Sequence, residues 1–395
     1  MRVILHIDVN SAFLAWQALA LLKQGEKRDY RTIASVVSGD EKKRGGIVLA
    51  KSEAAKKAGI ITGEPLFTAR RKSPGLKVLK SCHGLYRKYS DELYLFLKKY
   101  FLEIECYSID EVFIDYSSFI TLYGEPVEFA NKLKAEVKEQ LGYTINIGVG
   151  NNKFLAKMAG ELKKPDAVNS IFDYEVQTKL WPLPVEDMFM VGRKTAVKLQ
   201  LLGIMTIGDL ANYPTEKLVL HFKSIRGHDL KNHALGIDNS QVEYHHIKPK
   251  GISKGQTLPK DIDNKNAAVV VITELVEQVM VKLRSQNLKA GGVSIALKNN
   301  YFFTYRTNRK LQYVTDNTEQ VTKQLIILFD KLWQQDMIRS ITVGVYDLTE
   351  HAEHQLNMFE KYEDNNIDQV LDELKSKYGN GIIKKALSKY NDQYM

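Results

Sequence analysis

Val3-Ile4-Leu5-His6-Ile7-Asp8 and, much further on, Tyr107-Ser108-Ile109-Asp110-Glu111-Val112-Phe113-Ile114-Asp115 decide the fold. The first is a short apolar run closed by a carboxylate, which reads as a buried strand delivering Asp8 at its carboxyl end. Around the second, residues 103–108 and 112–116 read as two strands joined at Ile109-Asp110-Glu111, a hairpin with acids at its tip. Between them Leu85, Tyr89, Leu93, Phe96 and Leu97 fall at helical spacing. Val127, Ala130, Leu133, Val137 and Leu141 repeat the pattern, and a fourth strand over 144–149 follows before Gly150. With residues 11–81 set aside as a Lys-rich, Gly-punctuated insertion, the order is βαββαβ, the split βαβ or ferredoxin-like unit. In that topology the first two strands run parallel through a right-handed crossover, and the third lies antiparallel between them. Asp8, Asp110 and Glu111 are then expected on one edge of one sheet.

The 395 residues predict about two to four domains. A composition of 44% hydrophobic and 26% charged residues excludes wholesale disorder and collagen-like repeats. No run of about 18 uncharged apolar residues occurs, and Asp8 comes too early for a secretory leader, so a cytoplasmic location is expected. Cys82 and Cys106 are too few for a disulfide framework or a four-thiolate zinc site, and are read as inert packing in apolar surroundings. A net charge of +9 suggests a polyanionic partner. Lys and Arg number 27 against 20 acids over residues 1–171, 8 against 8 over 172–239, 15 against 10 over 240–348, and 6 against 9 over 349–395. Two basic blocks therefore flank a neutral one, with an acidic tail.

Residues 184–213 hold two short helical stretches around Met190-Val191-Gly192-Arg193-Lys194 and Leu202-Gly203-Ile204, similar to a helix-hairpin-helix whose first glycine is Met190. Residues 240–250 read as a linker. A second αβ block then predicts a strand over 251–258, a helix to Gln286, strands over 293–298, 301–305 and 311–314, a helix over 318–335 and a strand over 341–346. It has a similar rhythm to the first block but no sequence repeat. In the tail, Ile367, Val370, Leu371 and Leu374 mark a short amphipathic helix. His245-His246, His351 and His354 lack nearby cysteines and read as solvated rather than zinc-binding.

Three carboxylates crowded on one edge repel unless cations neutralise them. Magnesium suits such a site, because it takes oxygen ligands and completes its shell with water and substrate phosphates. Two Mg2+ ions would activate an attacking oxygen and stabilise a leaving phosphate, the chemistry of nucleotidyl transfer.

His6-Ile7-Asp8-Val9-Asn10-Ser11-Ala12-Phe13, the Tyr107 to Asp115 block, Gly148-Val149-Gly150-Asn151-Asn152-Lys153-Phe154-Leu155-Ala156-Lys157 and Lys164-Pro165 together resemble the signature blocks of Y-family translesion DNA polymerases, close to the bacterial polymerase IV branch. The resemblance implies an α+β right hand. The palm is the ferredoxin-like unit (1–10 and 82–171), with small fingers (11–81), a helical thumb (172–239), a linker (240–250), an αβ little finger (251–348) and a tail (349–395). It implies that Asp8, Asp110 and Glu111 are the catalytic, metal-binding acids, with the Val9 carbonyl a further ligand. Ser11, Ala12 and Phe13 would meet the incoming nucleotide, the Phe13 ring leaving no room for a 2′-hydroxyl. Lys164 matches the family lysine on the triphosphate, and Lys56 aligns with a basic fingers residue of the same task. The sequence departs from the pattern where Glu53 replaces a tyrosine and Lys56 an arginine, which leaves Lys51, Lys56 and Lys57 as alternatives.

A polymerase grips primer-template DNA through its backbone. Lys248, Lys250, Lys254, Arg306, Arg309 and Lys310 are assigned to that contact, while Tyr301, Phe303 and Tyr305 are read as core. Gln355, Leu356, Met358 and Phe359 resemble the sliding-clamp peptide of bacterial polymerases. The reading is thus a low-fidelity, DNA-templated polymerase using dNTPs and two Mg2+ ions, a monomer with no membrane contact, in damage tolerance and repair. The rivals are a nucleotide cyclase sharing the palm, and a catalytically weak DNA- and clamp-binding accessory protein prompted by Glu53.

Overall fold

The computed structural model describes residues 2–41, 44–244, 248–350, 366–379 and 383. It divides into one unit of Met1–Gly39 and Ile47–His246 and another of Asp40–Gly46 and Ile247–Met395. In chain order the first unit's strands are β1 (Ile4–Val9), β2 (Ser35–Ser38), β3 (Val48–Lys51), β4 (Lys77–Lys80), β5 (Glu105–Cys106), β6 (Glu111–Asp115), β7 (Ile145–Gly150) and β8 (Val168–Ile171). The second unit holds β9 (Gly251–Ile262), β10 (Lys289–Asn299), β11 (Thr304–Thr315) and β12 (Ile338–Thr349).

The first unit's main sheet has the order β5-β6-β1-β7-β8. Both β6 and β7 run antiparallel to β1, and β5 is antiparallel to β6. This is the split βαβ arrangement read from the sequence, extended by β8, a parallel fifth strand that the sequence reading did not include. Every residue of β1 is buried because both faces are covered. Leu5, Ile7 and Val9 enter a core with the helices Ala12–Lys23, His83–Leu97 and Pro126–Leu141. Ile4 meets Phe113 and Ala156 on the opposite face. There the helix Lys153–Leu162 lies against the backbone of β7, since a Cβ on Gly148 would stand 1.9 Å from the Ala156 carbonyl oxygen. Glycine is required by this approach, not by its dihedral freedom.

Residues 11–81 are more ordered than their composition suggests. β2, β3 and β4 form a sheet in the order β3-β2-β4, packed by Val36, Val48, Ala55, Ile60, Leu66, Ala69 and Leu76. Within residues 184–213 two α-helices form, Arg193–Leu201 and Ile207–Asn212, and two more, Thr215–Phe222 and Ser224–Ala234, follow in the thumb segment. Met190 has φ 70°, the left-handed conformation that the motif's glycine would adopt without strain. The expected linker begins as part of the first unit. Val242 is buried with Ile4 and Phe113, and the Glu243 amide donates to Glu105.

The second unit repeats the order βαββαβ, but its sheet runs β11-β10-β12-β9. Two of its helices, Lys265–Arg284 and Thr318–Leu332, cover one face. The expected strands over 301–305 and 311–314 are one long strand, β11. Tyr301 and Phe303 precede it at the turn and are 75% and 66% exposed, so they are not core residues. Strand alternation cannot bury rings that lie outside the strand. Cys82 and Cys106 also leave the expected core, both being exposed. Cys82 sits just ahead of the helix His83–Leu97, and Cys106 ends the sheet's edge strand. The tail helix forms over Asn366–Tyr378, and Arg284 binds its Asp372 at 2.7 Å. Among the described residues no helix is long and apolar enough to cross a membrane.

Candidate active site

The register of β1 places Asp8 directly opposite Glu111 and His6 opposite Phe113. Directly opposed residues of an antiparallel pair project to the same face, so Asp8 and Glu111 share one. Asp110 precedes β6, and its carbonyl accepts the Val9 N–H at 3.1 Å, closing the edge. The three acids predicted to meet do reach one end of β1 and β6.

Each carboxylate is turned onto its own partner. Lys164 Nζ lies 2.6 Å from Asp8 Oδ2 and 2.7 Å from Glu161 Oε1. Lys157 Nζ lies 2.9 Å from Glu111 Oε2, and Ser108 donates to Asp110 Oδ1 at 2.6 Å. Burial raises the Asp8 carboxyl above its ordinary range in spite of Lys164. Burial acts in the same direction on Glu111, but His6 and Lys157 outweigh it and hold that carboxyl at about 2. The His6 imidazole, 3.7 Å from Glu111 Oε2, is too distant for a good hydrogen bond. Burial lowers its pKa, and the short Lys157 contact is the firmer cause of the low Glu111 value.

The donors are hard carboxylate oxygens on adjoining strands, which fits magnesium chemically. Two ammonium groups lie against Asp8 and Glu111, so the charge of each is already balanced from within the chain. Among the described residues no group of three His, Cys, Asp or Glu is gathered to hold one ion, because each acid follows its own partner.

A loop is pinned beside the acids by residues the sequence reading passed over. Buried Asn146 donates to the Lys163 carbonyl at 2.7 Å and accepts from Asn10 at 2.9 Å. Asn10 in turn accepts the Asp166 amide at 2.9 Å, so Lys164 is held from both sides. An asparagine inside the otherwise apolar 145–149 run was the available signal.

Comparison with known proteins follows the same residues. The model of the impB/mucB/samB family matches residues 7–161, that of its C-terminal domain 249–358, and that of the IMS family HHH motif 175–204. The chain belongs to the impB/mucB/samB family. It is 39% identical to the DNA polymerase IV of Clostridium acetobutylicum over 98% of each chain. It is 32% identical to DNA polymerase IV 2 of Bacillus subtilis over 98% of this chain and 94% of that one. A solved Y-family DNA polymerase chimera shares its fold with a TM-score of 0.77 at 20% identity, covering 88% of this chain and all of that one. The Y-family resemblance and the α+β right-hand fold class both stand.

Within this family fold, Phe13 is half-buried and its ring stacks on Tyr86 at 4.4 Å. Ser11 takes φ 47° just before the helix, and Ala12 is buried. In the fingers, Ser52 caps the helix Glu53–Lys57, which puts Glu53 in its first turn, where a negative charge suits the helix dipole. Glu53, Lys56 and Lys57 are exposed. Lys51 is half-buried and donates to Thr62 at 3.0 Å; burial and Lys56 lower its pKa while Glu53 opposes them. Glu53 is thus close enough to Lys51 for its charge to be offset.

In the second unit the register sorts the predicted cations. Arg306 and Lys310 stand opposite Ala296 and Gly292, on the sheet face away from the helices. Arg309 stands opposite core residue Val293 and reaches Gln324 of the covering helix at 3.3 Å, so it leaves the open face. Strand parity alone decides this. Lys254 stands opposite core residue Val343 on the edge strand β9 and is exposed. Lys250 is exposed, and Lys248 pairs with Glu350 at 2.9 Å. Gln355, Leu356, Met358 and Phe359, and the histidines at 245, 246, 351 and 354, lie outside the described residues.

Proposed function

We propose that Asp8, Asp110 and Glu111 form the reaction centre of a DNA-directed DNA polymerase of the translesion type, the activity that the family and its relatives bring to this chain. The single observation that carries the assignment is the Asp8–Glu111 register, with Asp110 bonded to Val9 beside it. Asp8, Asp110, Glu111 and the Val9 carbonyl would hold two Mg2+ ions, which when bound supply Lewis acidity for the attacking and leaving oxygens. The chain's own residues arrange everything else. Lys164, already on a carboxylate, can exchange that oxygen for a triphosphate oxygen as a point charge. Lys56 is the fingers cation we favour, since Lys51 is engaged with Thr62. Phe13, backed by Tyr86, limits the space at the sugar and selects deoxynucleotides. Arg306 and Lys310 hold the primer-template backbone without reading its sequence, with Lys248, Lys250 and Lys254 in support. The domain limits given above, a monomeric state, a cytoplasmic location and clamp docking through Gln355, Leu356, Met358 and Phe359 belong to the same proposal.

Primer extension with magnesium tests it. Templated addition by the wild type, lost by at least about a thousandfold in Asp110→Ala while primer binding persists, is expected. Cyclic nucleotide formation without template, or tight DNA binding with no synthesis, would replace the reading by one of its rivals.

A further inference from the structure

Lys157 and Lys164 both neutralise acids of the site, but they are built differently. Lys164 is 27% exposed at its side chain and divides its ammonium between Asp8 and Glu161. Lys157 is 9% exposed at its side chain, and its one carboxylate contact among the described ion pairs is Glu111. Its ammonium stands 5.0 Å from the centre of the Phe189 ring and 5.7 Å from that of Tyr107. Such aromatic faces stabilise a cation while shielding it from water. Tyr107 comes from the strand pair that carries the acids, and Phe189 from the segment just before the thumb hairpin, where its amide donates to Met158 at 3.2 Å. The helix bearing Lys157 sits close on the sheet, lying on the bare backbone of Gly148 and Gly150. The contacts to Glu111 from both Lys157 and His6 fall on Oε2.

We infer that Lys157 is a positioning residue that occupies Oε2 of Glu111, so that the carboxylate presents Oε1 alone to an incoming cation. This rests on the polymerase reading above and adds a property to it. A fixed ammonium beside a metal ligand weakens metal binding and improves ligand placement. Its removal therefore has an unusual signature, tighter metal and slower chemistry together. Simple structural damage would weaken both.

Lys157→Met and Lys157→Arg in the full chain test the inference. The Mg2+ midpoint for assembling the complex with a dideoxy-terminated primer, template and matching dNTP is read by fluorescence, where no chemistry occurs; kcat is read separately by rapid quench. Lys157→Met should lower the midpoint by about tenfold, the size of effect a neighbouring charge exerts on a carboxylate, and lower kcat by about a hundredfold. The affinity for primer-template should change less than twofold, and Lys157→Arg should return the midpoint to within about twofold of wild type. An unchanged or raised midpoint, or an unchanged kcat, overturns the inference. Should Lys157→Met fail to fold, Phe189→Leu keeps the ammonium but opens its cage, and must shift both quantities in the same directions, by about two- to threefold, or the inference falls. A wild type that extends no primer instead defeats the polymerase reading itself.

Discussion

The Phe13 ring is supported by a residue one layer behind it. It is held flat against Tyr86, itself fully buried and bonded through its hydroxyl to Gln17 at 2.6 Å. If the ring bears on the nucleotide sugar as proposed, such support would keep it from tilting aside. Phe13→Ala should raise ribonucleotide insertion relative to deoxynucleotide by about a hundredfold, and Tyr86→Leu, which leaves the ring but removes its support, by less. Competitive single-nucleotide insertion measures both; unchanged selectivity in Phe13→Ala would remove the ring from its role. Phe13 was singled out by its place in a signature block, whereas Tyr86 fell between the spaced apolar positions of its helix and carried no signal of its own. The same divide runs through the acids. Asp8, Asp110 and Glu111 were legible because strand ends and a hairpin mark them. His6, Lys157 and Asn146 were not, because a polar side chain's burial depends on neighbours brought in from elsewhere.

Elements tell a second story, in which close contact between β7 and the helix Lys153–Leu162 sets the height of the lysine over Glu111. A Cβ at Gly148 would fall 1.9 Å from the Ala156 oxygen and 2.4 Å from the Gly160 nitrogen, and backbone atoms cannot swing aside. Gly148→Ala is expected to cost about 3 kcal/mol of stability, at the upper end for overpacking. It should also impair extension by lifting Lys157, and denaturant unfolding beside primer extension would show both effects. A shift under about 0.5 kcal/mol would mean that the helix yields. The long periodic helices and β1 were readable as elements, but β2, β3, β4 and β8 were not. Four residues such as Lys77-Val78-Leu79-Lys80 are too short to establish a period, and only pairing makes them strands. The face that Arg309 takes was unreadable for a related reason, since facing depends on register and register on the partner strand.

On the scale of the whole molecule, two basic blocks fit a polymerase that grips a polyanion. Deleting residues 355–359 should reduce clamp-dependent extension by about tenfold or more and leave distributive synthesis unchanged, because tethering acts through local concentration. Processivity assays with and without clamp would decide, and equal losses in both would assign the segment to folding. The two αβ units use one order of elements, βαββαβ, and arrive at different sheets. Their periodicities could not have separated them. Apolar spacing specifies which residues must be hidden and so determines the elements, and chain order with the handedness of crossovers then brought Asp8 to Asp110 and Glu111. Which strand borders which in the second unit, which face Arg309 takes, and which ammonium is caged above Glu111 were decided only by tertiary structure. Those outcomes depend on pairing and burial between distant segments, whose free energies exist only once both partners are in place.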